Sequence, residues 1–151
     1  MSKSEKMVAL TQAVRAAFNR LRALGDSLHG DLEVTTAMRA VMETLSASGA
    51  MTVPQIAKLK GVTRQHIQLL ADALCEASLA VVKENPAHRR SSLIALTEKG
   101  KRAFAKMQSR EVPVIEVLAG DFDALELERA TAVLNRLVAL LDERMKEDGD
   151  E

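Results

Sequence analysis

The chain has 151 residues, 47% hydrophobic and 28% charged, with one cysteine, three phenylalanines and no tryptophan or tyrosine. That length and mix exclude a disordered chain and allow a buried core, while the scarcity of aromatics favours helix over sheet. The formal net charge is zero, yet residues 54–110 hold 11 Lys/Arg against 4 Asp/Glu, and residues 111–151 hold 4 against 12.

A basic middle and an acidic end are therefore hidden in the neutral total, and the middle favours a polyanionic partner. One cysteine excludes an internal disulfide. The opening MSKSEKMVAL lacks the apolar core of a signal peptide, and no run reaches the ~18 apolar residues of a membrane helix. The expected setting is cytoplasmic, without a membrane partner.

From Ser4 to Leu28, apolar residues recur every three or four positions (Met7, Leu10, Val14, Phe18, Leu21, Leu24, Leu28), which predicts a long amphipathic helix. Gly25 and Gly30 mark where it frays or stops. Thr35 or Thr36 caps a second helix with Met38, Val41, Met42 and Leu45 inward, and Ala50 to Thr52 suits a short edge strand. Pro54 fits the first turn of a short third helix that ends at Gly61. A fourth begins at Thr63, with Ile67, Leu70, Ala71 and Leu74 on one face and Gln65, Gln68, Leu69, Asp72 and Glu76 opposite.

Leu79 to Glu84 and Ser92 to Leu96 read as two strands around a turn that carries Asn85, Pro86, Arg89 and Arg90. Thr97 caps a fifth helix in which Pro113 predicts a kink, and Gly120 ends it. Phe122, Asp123, Glu126 and Leu127 combine a capping box with a staple to start the last helix. Its apolar residues fall on two sides: Leu127, Leu134, Val138, Leu141 and Met145 on one, Leu125, Val133 and Leu140 on the other.

The fold class predicted is mainly α with a small β-hairpin wing. A winged helix-turn-helix lobe (34–100) lies between an N-terminal dimerisation helix (1–33) and C-terminal dimerisation helices (101–151). The terminal helices carry more apolar stripe than one lobe can cover, so a homodimer through the first, fifth and sixth helices is expected. Such a lobe lays its second helix in the major groove of DNA and sets the hairpin tip on the neighbouring backbone or minor groove.

On that reading Gln65, His66 and Gln68 reach base edges, and Arg64 meets a base or a phosphate. Thr63 caps the helix and touches a phosphate, while Arg89 and Arg90 contact the minor groove or backbone. Lys58, Lys60 and Lys83 are further phosphate partners. Leu69 either touches a thymine methyl or packs within the protein.

The text around these residues resembles the MarR family of bacterial transcriptional regulators. The matching stretches are Thr52-Val53-Pro54-Gln55-Ile56-Ala57, Gly61-Val62-Thr63-Arg64-Gln65, and Asn85-Pro86 through Arg89-Arg90 to Leu96-Thr97-Glu98-Lys99-Gly100. The resemblance implies a homodimeric regulator, commonly a repressor, on pseudo-palindromic double-stranded promoter DNA. It also implies a small apolar or phenolic effector in a pocket between the DNA-binding lobe and the dimer helices. Two positions depart from the pattern. His88 stands where the family commonly has an acid that orients the arginine at position 90, and Leu69 stands where a basic or polar residue is usual.

Cys75 sits near the end of the fourth helix as a candidate redox site, but no second cysteine can resolve a sulfenic acid within the chain. His29, His66 and His88 share no metal-ligand spacing, and no nucleophile triad, phosphate loop or carboxylate pair stands out. Neither a cofactor nor an enzymatic activity is expected, and no ligand-binding residue can be named from the sequence. The competing reading is a winged helix used as a protein-interaction module.

Overall fold

The computed structural model describes residues 1–149. In chain order these are α1 (Lys3–Leu28), a single 3-10 turn (Gly30–Leu32), α2 (Thr36–Ser48), β1 (Met51–Thr52), α3 (Val53–Lys60) and α4 (Arg64–Glu76). There follow β2 (Ala80–Lys83), β3 (Leu93–Leu96), α5 (Glu98–Ala119) and α6 (Ala124–Gly149). The chain divides into two compact units, Met1–Gln108 and Ser109–Glu151, with the division inside α5. The strands are slightly shorter than the sequence predicts, and α1 runs through Gly25. α5 also continues across Pro113, so the proline removes one backbone donor without ending the helix.

The helices of the first unit start from hydroxyls. The Ser2 hydroxyl accepts the Glu5 N–H, Thr35 accepts that of Met38 at 3.2 Å, and Thr63 accepts that of His66 at 3.1 Å. Thr52 forms a complete capping box, accepting the Gln55 N–H at 3.2 Å while its own N–H donates to Gln55 Oε1 at 2.9 Å. Each such cap satisfies a donor that the helix leaves orphaned, which is worth about 1 kcal/mol.

The sheet has the antiparallel order β1-β3-β2, with Met51 opposite Ile94, and Ala80 to Lys83 opposite Leu96 to Leu93. β3 lies in the middle and buries Ile94 and Ala95, whereas Val81, Val82 and Lys83 on the edge strand β2 are exposed. The core of the unit joins Val41, Met42 and Leu45 of α2 to Ile56 of α3, Ile67 and Leu74 of α4, Ile94 of β3, and Phe104 and Met107 of α5. The Arg39 guanidinium lies 5.4 Å from the centre of the Phe104 ring and closes that edge with a cation–π contact.

α1 joins this unit by its last turns only. Gly25 lies against α2 so closely that a Cβ there would stand 2.4 Å from Thr36 Oγ1. Thr36 Oγ1 donates to the Arg22 carbonyl at 3.0 Å, and the Thr36 N–H donates to Asp26 Oδ1 at 2.7 Å. The Asp26 carboxylate thus caps α2 from a neighbouring helix. Hydrogen bonds from the Thr36 backbone and then its hydroxyl hold its pKa below the ordinary 3.8. Further back along α1, Met7, Val8, Val14, Phe18, Leu21 and Leu24 are exposed.

In the second unit, Phe122 N–H donates to the Ala119 carbonyl at 3.2 Å and Asp123 N–H to Glu126 Oε2 at 3.0 Å, which turns the chain into α6. The glutamate half of the predicted capping box is therefore present. Leu134, Val138, Leu141 and Met145 on one side of α6, and Leu125, Val133 and Leu140 on the other, are exposed.

Two substitutions test what holds the first unit together. A Cβ at Gly100 would lie 1.9 Å from the Leu79 carbonyl oxygen, whereas one at Gly30 meets nothing within 4 Å. Gly100→Ala is expected to cost about 3 kcal/mol, the upper end of overpacking penalties, and Gly30→Ala close to nothing, as read from urea unfolding midpoints. Asp26, with its folded pKa depressed, stabilises the fold above pH 3.8 and loses that contribution as pH falls through the lower folded value. Asp26→Asn should therefore lower stability at neutral pH and flatten the acid limb of the stability–pH curve below 3.8; an unchanged limb would remove Asp26 from the α1–α2 joint.

Candidate nucleic-acid interface

The turn before α4 is set by backbone chemistry. Gly61 takes a left-handed conformation, φ 64° and ψ 37°, while the Val62 N–H reaches the Ala57 carbonyl at 3.1 Å. Glycine adopts this conformation without the Cβ penalty, so α3 can stop and α4 start within three residues. Ile67, Ala71 and Leu74 anchor the buried face of α4, which leaves Gln65, Gln68, Leu69, Asp72 and Glu76 exposed. Gln68 Nε2 donates to Asp72 Oδ1 at 2.8 Å, one turn further on.

The wing is fixed to the end of α4 by the segment that starts α5. Thr97 Oγ1 donates to the Ser78 carbonyl at 2.7 Å and accepts the Gly100 N–H at 3.0 Å. The Thr97 N–H donates to the Leu79 carbonyl at 3.1 Å, and Lys99 Nζ to the Ala77 carbonyl at 2.9 Å. Ser78 itself has φ 62°, the left-handed turn that lets β2 leave the helix. At the tip, Asn85 Oδ1 accepts the Ala87 N–H at 3.1 Å, and the N–H groups of His88 and Ser91 reach the carbonyls of Asn85 and His88. Two successive turns thus present Arg89 and Arg90 to solvent. No carboxylate among the described residues pairs with Arg90, consistent with a histidine at position 88.

A groove of about 490 Å³ runs between α3, α4 and the wing, lined by Arg64, Gln65 and Gln68 from the helix and Arg90, Ser91 and Ser92 from the wing. Val53, Pro54, Val82 and Ile94 complete its lining. Four of the residues singled out from the sequence thus meet in one place, although the wing contributes from more than twenty positions away. Lys58 lies beside them, in a neighbouring depression with Gln55 and Arg64. Arg89 sits apart with Glu84, Asn85 and Ser92, and Lys83 is exposed on β2. Thr63 caps α4.

Lys60 and His66 do not join the groove. They line a second, more apolar pocket of about 340 Å³ with Phe18 and Arg22 of α1, Thr36, Ala37 and Ala40 of α2, and Val62, Ile67 and Leu70. Lys60 Nζ lies 3.4 Å from the Ala40 carbonyl, which holds it on that side. No local pattern in the sequence points to the lining of this pocket. Phe18 sits in the apolar stripe of α1, and only the crossing of α1 over α2 brings it opposite α4.

Cys75 is half-buried, and burial first, then the charge of Asp72, pushes its thiol pKa up, the reverse of what a sensing thiolate needs. His29 is buried after the end of α1, His66 lines the apolar pocket and His88 lies in the wing turns. No group of three metal-ligating side chains occurs among the described residues, and none of the described helices is long and apolar enough to cross a membrane.

No protein-family model matches the sequence. Over 92 residues the chain is 39% identical to uncharacterized proteins of Mycobacterium tuberculosis and Mycobacterium bovis, an alignment covering 61% of this chain and 64% of theirs. The chain therefore matches less than two thirds of the length of these relatives. The structure superposes on that of a MarR family transcription regulator with a TM-score of 0.80, at 24% identity and with 96% of each chain covered. It superposes on a cysteine-to-serine mutant of MarR from Escherichia coli complexed with operator DNA with a TM-score of 0.79, at 16% identity, covering 91% of this chain and 99% of that one.

Proposed function

From a chain that has the winged-helix fold of MarR-family structures, we propose a cytoplasmic, homodimeric regulator that binds an inverted repeat in double-stranded promoter DNA and acts as a repressor. The observation that carries the reading is the groove in which Arg64, Gln65 and Gln68 of α4 face Arg90 of the wing. A duplex seated there offers base edges to the amides and phosphates to the guanidinium groups. Glutamine pairs with adenine through its amide, and arginine holds phosphate oxygens or the electronegative minor groove.

The charge of α4 sets the direction of approach. Arg64, Gln65 and His66 occupy its first turn, and Asp72 and Glu76 its exposed second half. Phosphates repel that half, so the helix enters the groove by its N-terminal end, as reading helices do. Lys58 beside the groove, and Lys83 and Arg89 on the wing, add phosphate contacts. Thr63 holds the first turn in shape.

The homodimer rests on the apolar faces of α1 and α6. Exposed stripes this long are interaction surfaces on soluble chains, and a two-fold axis repeats the same patch on each subunit. Two reading helices about one DNA turn apart, roughly 34 Å, follow from that symmetry. The pocket lined by Phe18, Arg22, Lys60, His66 and Leu70 suits an apolar effector that carries an acidic group. It touches both α1 and α4, so its occupant can bias the seating of the reading helix.

Selection of genomic fragments by the purified protein is expected to recover promoter segments containing an inverted repeat. On the recovered site Arg90→Ala should weaken binding to all sequences and reduce the slope of log affinity against log salt by about one unit. Gln65→Ala should instead alter site preference. Equal losses on specific and random duplex would remove Gln65 from base reading, and an unchanged salt slope would remove Arg90 from the interface. Sedimentation at micromolar concentration should give a dimer; a clean monomer would overturn the symmetric arrangement.

A further inference from the structure

We propose that Leu69 is a specificity-determining residue, reading the C5-methyl group of one thymine in each half of the DNA site; this rests on the DNA-binding reading above. The sequence left Leu69 free either to pack within the protein or to meet a base. Its side chain is 63% exposed, so the first use is excluded. Successive residues of a helix are turned by ~100°, which puts Leu69 one turn beyond Gln65 at the centre of the face opposite Ile67, Ala71 and Leu74.

The neighbours narrow the choice of partner. Gln68 bonds Asp72 at 2.8 Å. A carboxylate only accepts, so the Gln68 amide nitrogen is turned forward along the helix towards it. Asp72 and Glu76 keep the second half of the exposed face away from phosphates. With one Gln68 N–H engaged in this way, the outward side chains of the first half with no partner on the helix itself are Gln65 and Leu69. An isobutyl group offers no hydrogen bond. Against the four base pairs in the major groove, the one apolar feature it can recognise is the thymine methyl. Adenine, guanine and cytosine edges opposite Leu69 would lose hydration without compensation. The result is a site with a thymine fixed by apolar contact, next to a base read by Gln65.

The test uses duplexes selected from a random-sequence pool by the wild-type protein. Each thymine of the selected site is replaced in turn by deoxyuridine, which removes the methyl group and nothing else. Replacement of one thymine per half-site should weaken wild-type binding about four-fold, the equivalent of one buried methylene. The same replacement should leave binding by Leu69→Ala unchanged, since its methyl contact is already gone. Thermal unfolding of Leu69→Ala should match the wild type, because the side chain supports no core contact. A selected site whose thymines are all insensitive, or equally sensitive in Leu69→Ala, overturns the assignment of Leu69 while leaving DNA reading intact. A pool that yields no enriched sequence overturns the DNA-reading function itself.

Discussion

Three consecutive carbonyls just beyond the end of α4, those of Ala77, Ser78 and Leu79, are each taken by a donor from Thr97 or Lys99 at the start of α5. Backbone carbonyls buried without a donor cost about 1–3 kcal/mol each. Here the ammonium of Lys99, the hydroxyl of Thr97 and the backbone N–H of Thr97 fill them, while Gly100 has no Cβ to keep the two segments apart. The direction in which β2 leaves α4, and so the place of Arg90 relative to Gln65, is fixed by this joint. A helix and a wing that face one groove keep that relation only where the joint is rigid, and most of the constraint is backbone.

A second joint links α1 to the same lobe. Asp26 caps α2, Thr36 returns a bond to the Arg22 carbonyl, and Gly25 permits the crossing. The apolar pocket opens beside this joint, with Phe18 and Arg22 on one wall and His66 and Leu70 on the other. Whatever shifts α1 against α2 therefore reshapes a surface of α4, the helix proposed to read DNA. One short helix crossing thus joins the pocket to α4, with no long chain of contacts between them.

Much of the architecture was legible before any coordinates. Hydroxyls at Thr35, Thr63 and Thr97, the glycine at 61 and the 3.6-residue spacing of apolar side chains are local signals, and each is read within one turn of chain. What escaped was set by neighbours. A helical wheel separates the inner from the outer face of α4 but does not say what approaches its flanks. His66 was grouped with the base-reaching residues of α4 and Lys60 with the phosphate partners; that both also line a pocket with α1 and α2 depends on how those helices cross. Gly100 was visible as part of a familiar stretch, while its reason, the Leu79 carbonyl, lies 21 positions away.

The charge asymmetry along the chain follows the same division. The basic segment 54–110 contains the groove, the wing and the start of α5, and the acidic segment 111–151 contains α6. The two signs of charge thus fall largely on different units: the unit that contains α4 carries the positive excess, although the whole chain is formally neutral. Even within α4 the sign changes, from Arg64 at the start to Asp72 and Glu76 at the end. A polyanion would meet attraction at the first two turns and repulsion beyond them. On the proposed DNA-binding function the side chains left for base edges are then few, chiefly an amide at Gln65 and an apolar group at Leu69, with the arginines fixing the register.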